Sequence, residues 1–313
     1  MKLQSDDPAT IYKPETMHDP YAHWEALLRR FSRKDQRRLE GTLCLAGRVH
    51  YGQTRRAADG DKAVPYIVHP MRVARILTEE WGQTDLRPVL AALLHDVVED
   101  CPPTLREVIE FEIDRVEGRE ILDAVGALTK PQLPEPCPAD ARANRDARYF
   151  KMLFQAPDWV RLVKCADRVD NLRDARNWGN RMFWTRYSSE TLGWHLYLAR
   201  ETSPIAEVAL FKALVEGERE LRGHTPIWLD GKIMDPAAAA LVPSEIARRY
   251  GMVGLALRNE TLFVGISEDP DDRTRTTIRG LLGAGESSSR RVEFVLVSPD
   301  AIEDALEGFY TKA

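Results

Sequence analysis

The chain has 313 residues, with 44 Lys and Arg against 49 Asp and Glu for a formal net charge of −5, a hydrophobic fraction of 43% and a charged fraction of 30%. These values describe a soluble globular protein and exclude a disordered or fibrous one, and the length favours two compact units over a single core. The acidic balance gives no general attraction for nucleic acid or an anionic membrane surface, so a polyanionic ligand must be met by local cations or a metal.

The opening MKLQSDDPAT lacks the basic and apolar parts of a signal peptide, and no apolar run approaches the roughly 20 residues that cross a bilayer. The scattered Cys44, Cys101, Cys137 and Cys165 form no C-x-x-C pair, which fits a reducing compartment. A cytoplasmic protein with no membrane segment is expected.

From about residue 21 to about residue 222 helical periodicity recurs in YAHWEALLRRF, EGTLCLAGRVHYG, MRVARILTEEWG, LRPVLAALLHDVVED and DWVRLVKCADRVDNLRDARNW. Gly60-Asp61, Pro102-Pro103 and the surface loop KPQLPEPCPAD at 130–140 punctuate these stretches. This predicts a mainly α region, a helical bundle over 21–222. Residues 223–240 read as a connection, and 241–313 as a small α/β domain. Its elements are predicted as a helix at 244–250, two strands around Asn259-Glu260, a helix at about 270–282, a strand at 291–297 and a helix at 299–310 started by Ser298-Pro299.

Two helices carry the candidate chemistry. A helix through LRPVLAALLHDVVED gathers His95, Asp96, Glu99 and Asp100 on one face and Leu90, Leu93, Leu94, Val97 and Val98 on the other. An arbitrary polar face is usually just solvated, but this one holds three carboxylates and no cation, and Asp96 and Asp100 repel at i,i+4. A divalent ion would supply the missing charge; imidazole with carboxylate suits Mn, Fe or Zn. In VRLVKCADRVDNLRDARNW, Asp167, Asp170, Asn171 and Asp174 line one face while Leu162, Val163, Ala166 and Val169 can face a core. Asp167 sits nearest the apolar side and is the better ligand, since a partly buried carboxylate needs a partner; Asp170 and Asp174 read as solvated. His69 precedes Pro70 at a helix start, where a lone histidine is more often structural. His50 reads as core or as support for the site. Arg142, Arg145, Arg148 and Lys151 form a basic stripe that reads as a solvated helix face.

Taken together, HYGQTRR, VPYIVHPMRVARIL, LAALLHDVVEDCPPTLREVI, ALTK and VRLVKCADRVDNLR resemble the HD hydrolase domain of the RelA/SpoT alarmone enzymes and the small alarmone hydrolases of the Mesh1 type, over roughly residues 40–200. The resemblance implies an HD-domain helical bundle with Mn2+ bound by His69, His95, Asp96 and Asp167. It implies Glu99 and Asp100 acting on the nucleophilic water, and Asn171, Arg55 and the adjacent Arg56 contacting substrate. The implied reaction removes the 3′-pyrophosphate of guanosine tetra- or pentaphosphate, releasing GDP or GTP. No segment beyond residue 222 resembles a synthetase, so hydrolysis without synthesis is expected. The stretch from ALVPSEIARRYG to AIEDALEGFY resembles part of the N-terminal domain of type II secretion and type IV pilus ATPases, without the Arg-Leu-Gly motif of nucleotide-binding members. It implies a docking or regulatory module with a protein or nucleotide effector. Two other readings stay open: an HD phosphohydrolase acting on NADPH or a deoxynucleoside triphosphate, and a nucleotide-binding regulator without turnover.

Overall fold

The computed structural model describes residues 20–55, 64–134, 137–177, 181–222, 235–258, 260–268, 270–283, 290–297 and 299–310. The chain divides into two units, Met1–Asp170 and Asn171–Ala313, and the division falls inside the helix Asp158–Asn177.

The first unit is helical. It comprises α1 (Pro20–Leu28), α2 (Arg33–Val49), α3 (Val68–Arg75), α4 (Leu86–Leu94), α5 (Val97–Asp100), α6 (Arg106–Glu117), α7 (Arg119–Leu128), α8 (Ala139–Leu153) and most of α9 (Asp158–Asn177). Two short strands, β1 (Thr54–Arg55) and β2 (Val64–Pro65), pair antiparallel. The core is built on α4, where every residue from Val89 to Leu94 is fully buried, as a helix apolar all round must be. Helices α2, α3 and α7 pack on it. Asp85 starts α4 by accepting from the Arg87 N–H at 3.0 Å.

The helix expected to run unbroken through LRPVLAALLHDVVED is interrupted at His95 and Asp96. His95 Nδ1 lies 2.8 Å from the Ala92 carbonyl, the acceptor that a continuous helix would give to the Asp96 N–H. Asp96 sits at the edge of the right-handed helical region, at φ −99° and ψ −9°.

The second unit holds the end of α9, α10 (Arg181–Glu190), α11 (Leu196–Thr202), α12 (Pro204–Arg222), α13 (Pro236–Ala240), α14 (Ser244–Tyr250), α15 (Asp272–Leu281), α16 (Pro299–Phe309) and a sheet ordered β3 (Met252–Arg258), β4 (Thr261–Ile266), β5 (Arg291–Leu296). β3 and β4 form an antiparallel hairpin, and α15 is the crossover between the parallel β4 and β5. The predicted elements of this region all occur, with bounds differing by a residue or two. Every residue of β4 is buried, so both faces of the sheet are covered. α13 and α16 pack on β3, and α12 packs on β3 and β5. The Phe211 and Phe263 rings meet at 4.8 Å. Buried Glu207 of α12 faces Arg258 at 3.1 Å and Arg200 at 3.2 Å.

The expected connection 223–240 is corrected at its end, where Asp235 caps α13 and α13 packs on β3. The alanine run is not linker composition but close backbone packing: a Cβ on Gly254 would lie 2.1 Å from the Ala238 carbonyl oxygen. Residues 223–234 lie outside the described residues.

Candidate metal centre

Three stretches deliver the expected ligands. His69 is the second residue of α3, with Pro70 next to it; His95 and Asp96 occupy the break between α4 and α5; Asp167 lies in α9. His69 Nε2 and His95 Nε2 are 3.2 Å apart. Asp167 Oδ1 lies 3.2 and 3.5 Å from these two nitrogens, and Asp96 Oδ2 3.5 and 3.0 Å. One ligand atom each from His69, His95 and Asp167 fall within 4.8 Å of one another.

The hydrogen bonds behind the histidines decide what they present. His69 Nδ1 is 2.7 Å from Asp170 Oδ2, and His95 Nδ1 is 2.8 Å from the Ala92 carbonyl. Both partners only accept, so each Nδ1 donates, and each Nε2 is turned toward the other ring as the position that a proton or a metal ion can take. Two imidazole nitrogens and two carboxylate oxygens thus converge on one point, an arrangement that calls for a proton or a cation. This donor set fits a divalent transition ion.

Charge is concentrated here. Burial favours the neutral form of His95, yet Asp96 and Asp167 outweigh it and hold the imidazole well above the usual histidine range. Burial opposes ionisation of Asp96, but the histidines prevail and keep it well below the carboxylate range. Burial pushes Glu99 upward, with Lys164 opposing and Asp96 reinforcing the shift. Burial and the Asp96 charge raise Asp100 to about 6.

The remaining expected residues are placed as follows. Glu99 Oε2 accepts the Lys130 N–H at 3.0 Å, and the Glu99 carbonyl accepts from Gln132 Nε2 at 2.9 Å, so the start of the 130–140 loop holds this carboxylate. Asp100 is the more exposed of the pair and approaches His50 Nδ1 at 4.0 Å. Arg55 lies over Tyr66, 5.5 Å from the ring centre, and Tyr66 donates to Asp96 Oδ2 at 2.7 Å. Asn171 is half-buried on α9, four residues beyond Asp167. Arg56 and the insertion that follows it lie outside the described residues. His50, expected as core or support, is buried and stacks on Tyr66 at 4.6 Å.

Two expectations are corrected. Asp170 and Asp174, read as solvated, are 0% and 6% exposed. Asp170 is affordable in the interior because Arg72 of α3 grips both its oxygens at 2.8 and 2.9 Å while His69 donates to it. Sequence reasoning also missed Lys164, whose Nζ lies 2.9 Å from Asp167 Oδ2. Burial disfavours its charge, but Asp167 holds it well above the usual lysine range. The available signal was its place three residues before Asp167 on the same helix.

Two family models match separate stretches of the chain. The model of the HD domain matches residues 46–199, and that of the MshEN domain matches residues 229–313. Over the HD domain the chain is similar to the human guanosine-3′,5′-bis(diphosphate) 3′-pyrophosphohydrolase MESH1, 38% identical over 129 residues, which are 41% of this chain and 64% of that protein. It is also similar to the bifunctional (p)ppGpp synthase/hydrolase SpoT of Escherichia coli, 32% identical over 150 residues, 47% of this chain and 19% of that one. The chain thus spans less than two thirds of the length of these curated relatives. The solved structure of a metazoan SpoT ortholog that hydrolyses ppGpp matches with 24% identity and a TM-score of 0.48, over 59% of this chain and 96% of that chain. Among the described residues no helix is long and apolar enough to cross a membrane.

Proposed function

We propose that this chain is a guanosine-3′,5′-bis(diphosphate) 3′-pyrophosphohydrolase, with Mn2+ held by His69, His95, Asp96 and Asp167 and with no synthetase activity. The observation that carries the reading is the pair of facing Nε2 atoms, 3.2 Å apart and flanked by two carboxylates, within the stretch shared with the named pyrophosphohydrolases. A bound divalent ion offsets charge on phosphoryl oxygens and lowers the pKa of water.

The chain's own groups supply the rest. Glu99, anchored by the Lys130 N–H, and Asp100 take and pass the proton of the attacking water. Water adds across the bond between the 3′ oxygen and its phosphorus: hydroxyl goes to phosphorus, the proton ends on the nucleotide, and pyrophosphate leaves. Arg55 and Arg56 meet phosphate, and Asn171 contacts the nucleotide. Residues 21–222 form the hydrolase region, and the C-terminal module, 241–313 with α13 packed on it, serves docking or regulation by a protein or nucleotide effector. All four cysteines are free, in keeping with a cytoplasmic protein that binds neither nucleic acid nor membrane.

The test incubates Mn2+-loaded protein with ppGpp, pppGpp, NADPH and deoxynucleoside triphosphates and follows pyrophosphate and phosphate release. Pyrophosphate from the guanosine tetra- or pentaphosphate alone is expected. Turnover of NADPH or deoxynucleotides in preference, or of nothing, refutes the assignment.

A further inference from the structure

The two carboxylates that support the centre from α9 are held by cations of different kinds. Arg72 takes both oxygens of Asp170, at 2.8 and 2.9 Å, and Asp170 faces the back of His69. Lys164 approaches the other oxygen of Asp167: Nζ is 2.9 Å from Oδ2, while Oδ1 lies 3.2 Å from His69 Nε2 and 3.5 Å from His95 Nε2. A guanidinium is a planar fork that matches both oxygens of a carboxylate, whereas an ammonium is a point charge that can hold one. Lys164 is also an unusual lysine, its side chain only 14% exposed and lying 5.8 Å from the centre of the Tyr149 ring. Such burial needs a reason that packing alone does not give.

We propose that Lys164 is a positioning residue that takes Oδ2 of Asp167 and so leaves Oδ1 as the single oxygen this carboxylate offers to the metal. The inference rests on the metal-site reading above. It explains why lysine stands here while arginine stands at position 72: a fork at 164 would occupy the ligand oxygen as well. It also gives the variants an unusual order. For a residue serving only charge balance or packing, Lys164→Arg is the mild change and Lys164→Met the severe one. Here the order for metal binding is reversed.

The experiment measures Mn2+ affinity of the full chain by titration calorimetry, with the Mn2+ electron paramagnetic resonance spectrum as a coordination readout. Lys164→Arg is expected to weaken Mn2+ binding by about 10- to 100-fold, the range found when groups supporting metal ligands are changed. Lys164→Met is expected to bind Mn2+ at least as tightly as the unaltered protein, with a changed spectrum as Oδ2 becomes free to join. Lys164→Gln, which can still donate one hydrogen bond to Oδ2, is expected to keep both affinity and spectrum; if the methionine variant does not fold, the arginine and glutamine variants carry the comparison. With ppGpp, Lys164→Met is expected to lower kcat by about 10- to 100-fold with little change in KM. Arginine binding Mn2+ as well as lysine does, or methionine abolishing binding in a folded protein, overturns the proposal. If the unaltered protein binds Mn2+ but does not hydrolyse ppGpp, the substrate assignment fails while the affinity order still decides the role of Lys164.

Discussion

Replacing Asp170 by Asn tests whether the support behind His69 matters as much as the ligands in front of it. Asp170 is fully buried, and its two oxygens accept three hydrogen bonds, one from His69 and two from Arg72. Asparagine keeps the shape but removes the charge and turns an amide N–H2 toward one of these donors. Arg72, whose side chain is 11% exposed, loses the carboxylate that takes both arms of its guanidinium. Breaking one side of a buried pair costs about 3–5 kcal/mol, which at about 2–4 °C per kcal/mol for a domain of this size lowers the melting temperature by roughly 6–20 °C. The other loss is local. With its carboxylate acceptor gone, His69 Nδ1–H is no longer favoured, the tautomer carrying the proton on Nε2 gains population, and Mn2+ affinity falls by about 10- to 100-fold. Calorimetric melting gives the first quantity and Mn2+ titration the second. The double variant Arg72→Met, Asp170→Leu separates them, because removing both charges restores stability but not the orientation of His69. A single variant that melts within about 2 °C of the unaltered protein, or one that keeps full Mn2+ affinity, refutes the reasoning.

Four further predictions follow from the same geometry. Asp100 is raised from its ordinary 3.8 to about 6, so the folded state binds this proton more tightly than the unfolded one, and stability falls as pH rises through that window; Asp100→Asn should therefore raise the melting temperature of metal-free protein at pH 7, leave it unchanged at pH 4, and lower turnover, and a lower melting temperature at pH 7 contradicts this. Because Asp96 and Asp167 shift His95 above the usual histidine range, Mn2+ binding should compete with a proton at this site and its affinity should weaken as pH falls through the histidine pKa, by about tenfold per pH unit; titrations in buffers of different ionisation heat, showing no proton release, would count against it. Glu99→Ala should keep Mn2+ but lose about 10²- to 10⁴-fold in kcat, checked by paired titration and pyrophosphate assays. Phe263→Ala, at a fully buried ring packed on Phe211, should cost about 3–5 kcal/mol, and a chain truncated after Arg222 should melt below the full chain for the same reason; an unchanged melting curve for either sinks the view that α12 and the sheet stabilise each other.

The sequence by itself determined the residue types of the centre and the elements that carry them. His95 with Asp96 and Asp167 on the apolar edge of α9 are readable because helical spacing fixes which side chains share a face, whereas His69, which alone reads as structural, enters the set only through the resemblance to the HD hydrolases. The strands of the C-terminal module are readable for a similar reason, as short apolar runs closed by turn residues. Tertiary structure alone decided which carboxylates are buried and which cation holds each. Asp170 looks like a solvated neighbour of Asp167 until Arg72, 98 residues earlier in the chain, closes on it. Lys164 looks like one more charge on a helix until its partner oxygen is seen. The break at His95 depends on a side chain competing for a backbone carbonyl, and the alanine run at 237–240 takes its meaning from the glycine of a strand that packs against it. Periodicity specifies a face, but the electrostatic balance of a buried site depends on groups brought together from distant parts of the chain, and no local pattern records that meeting.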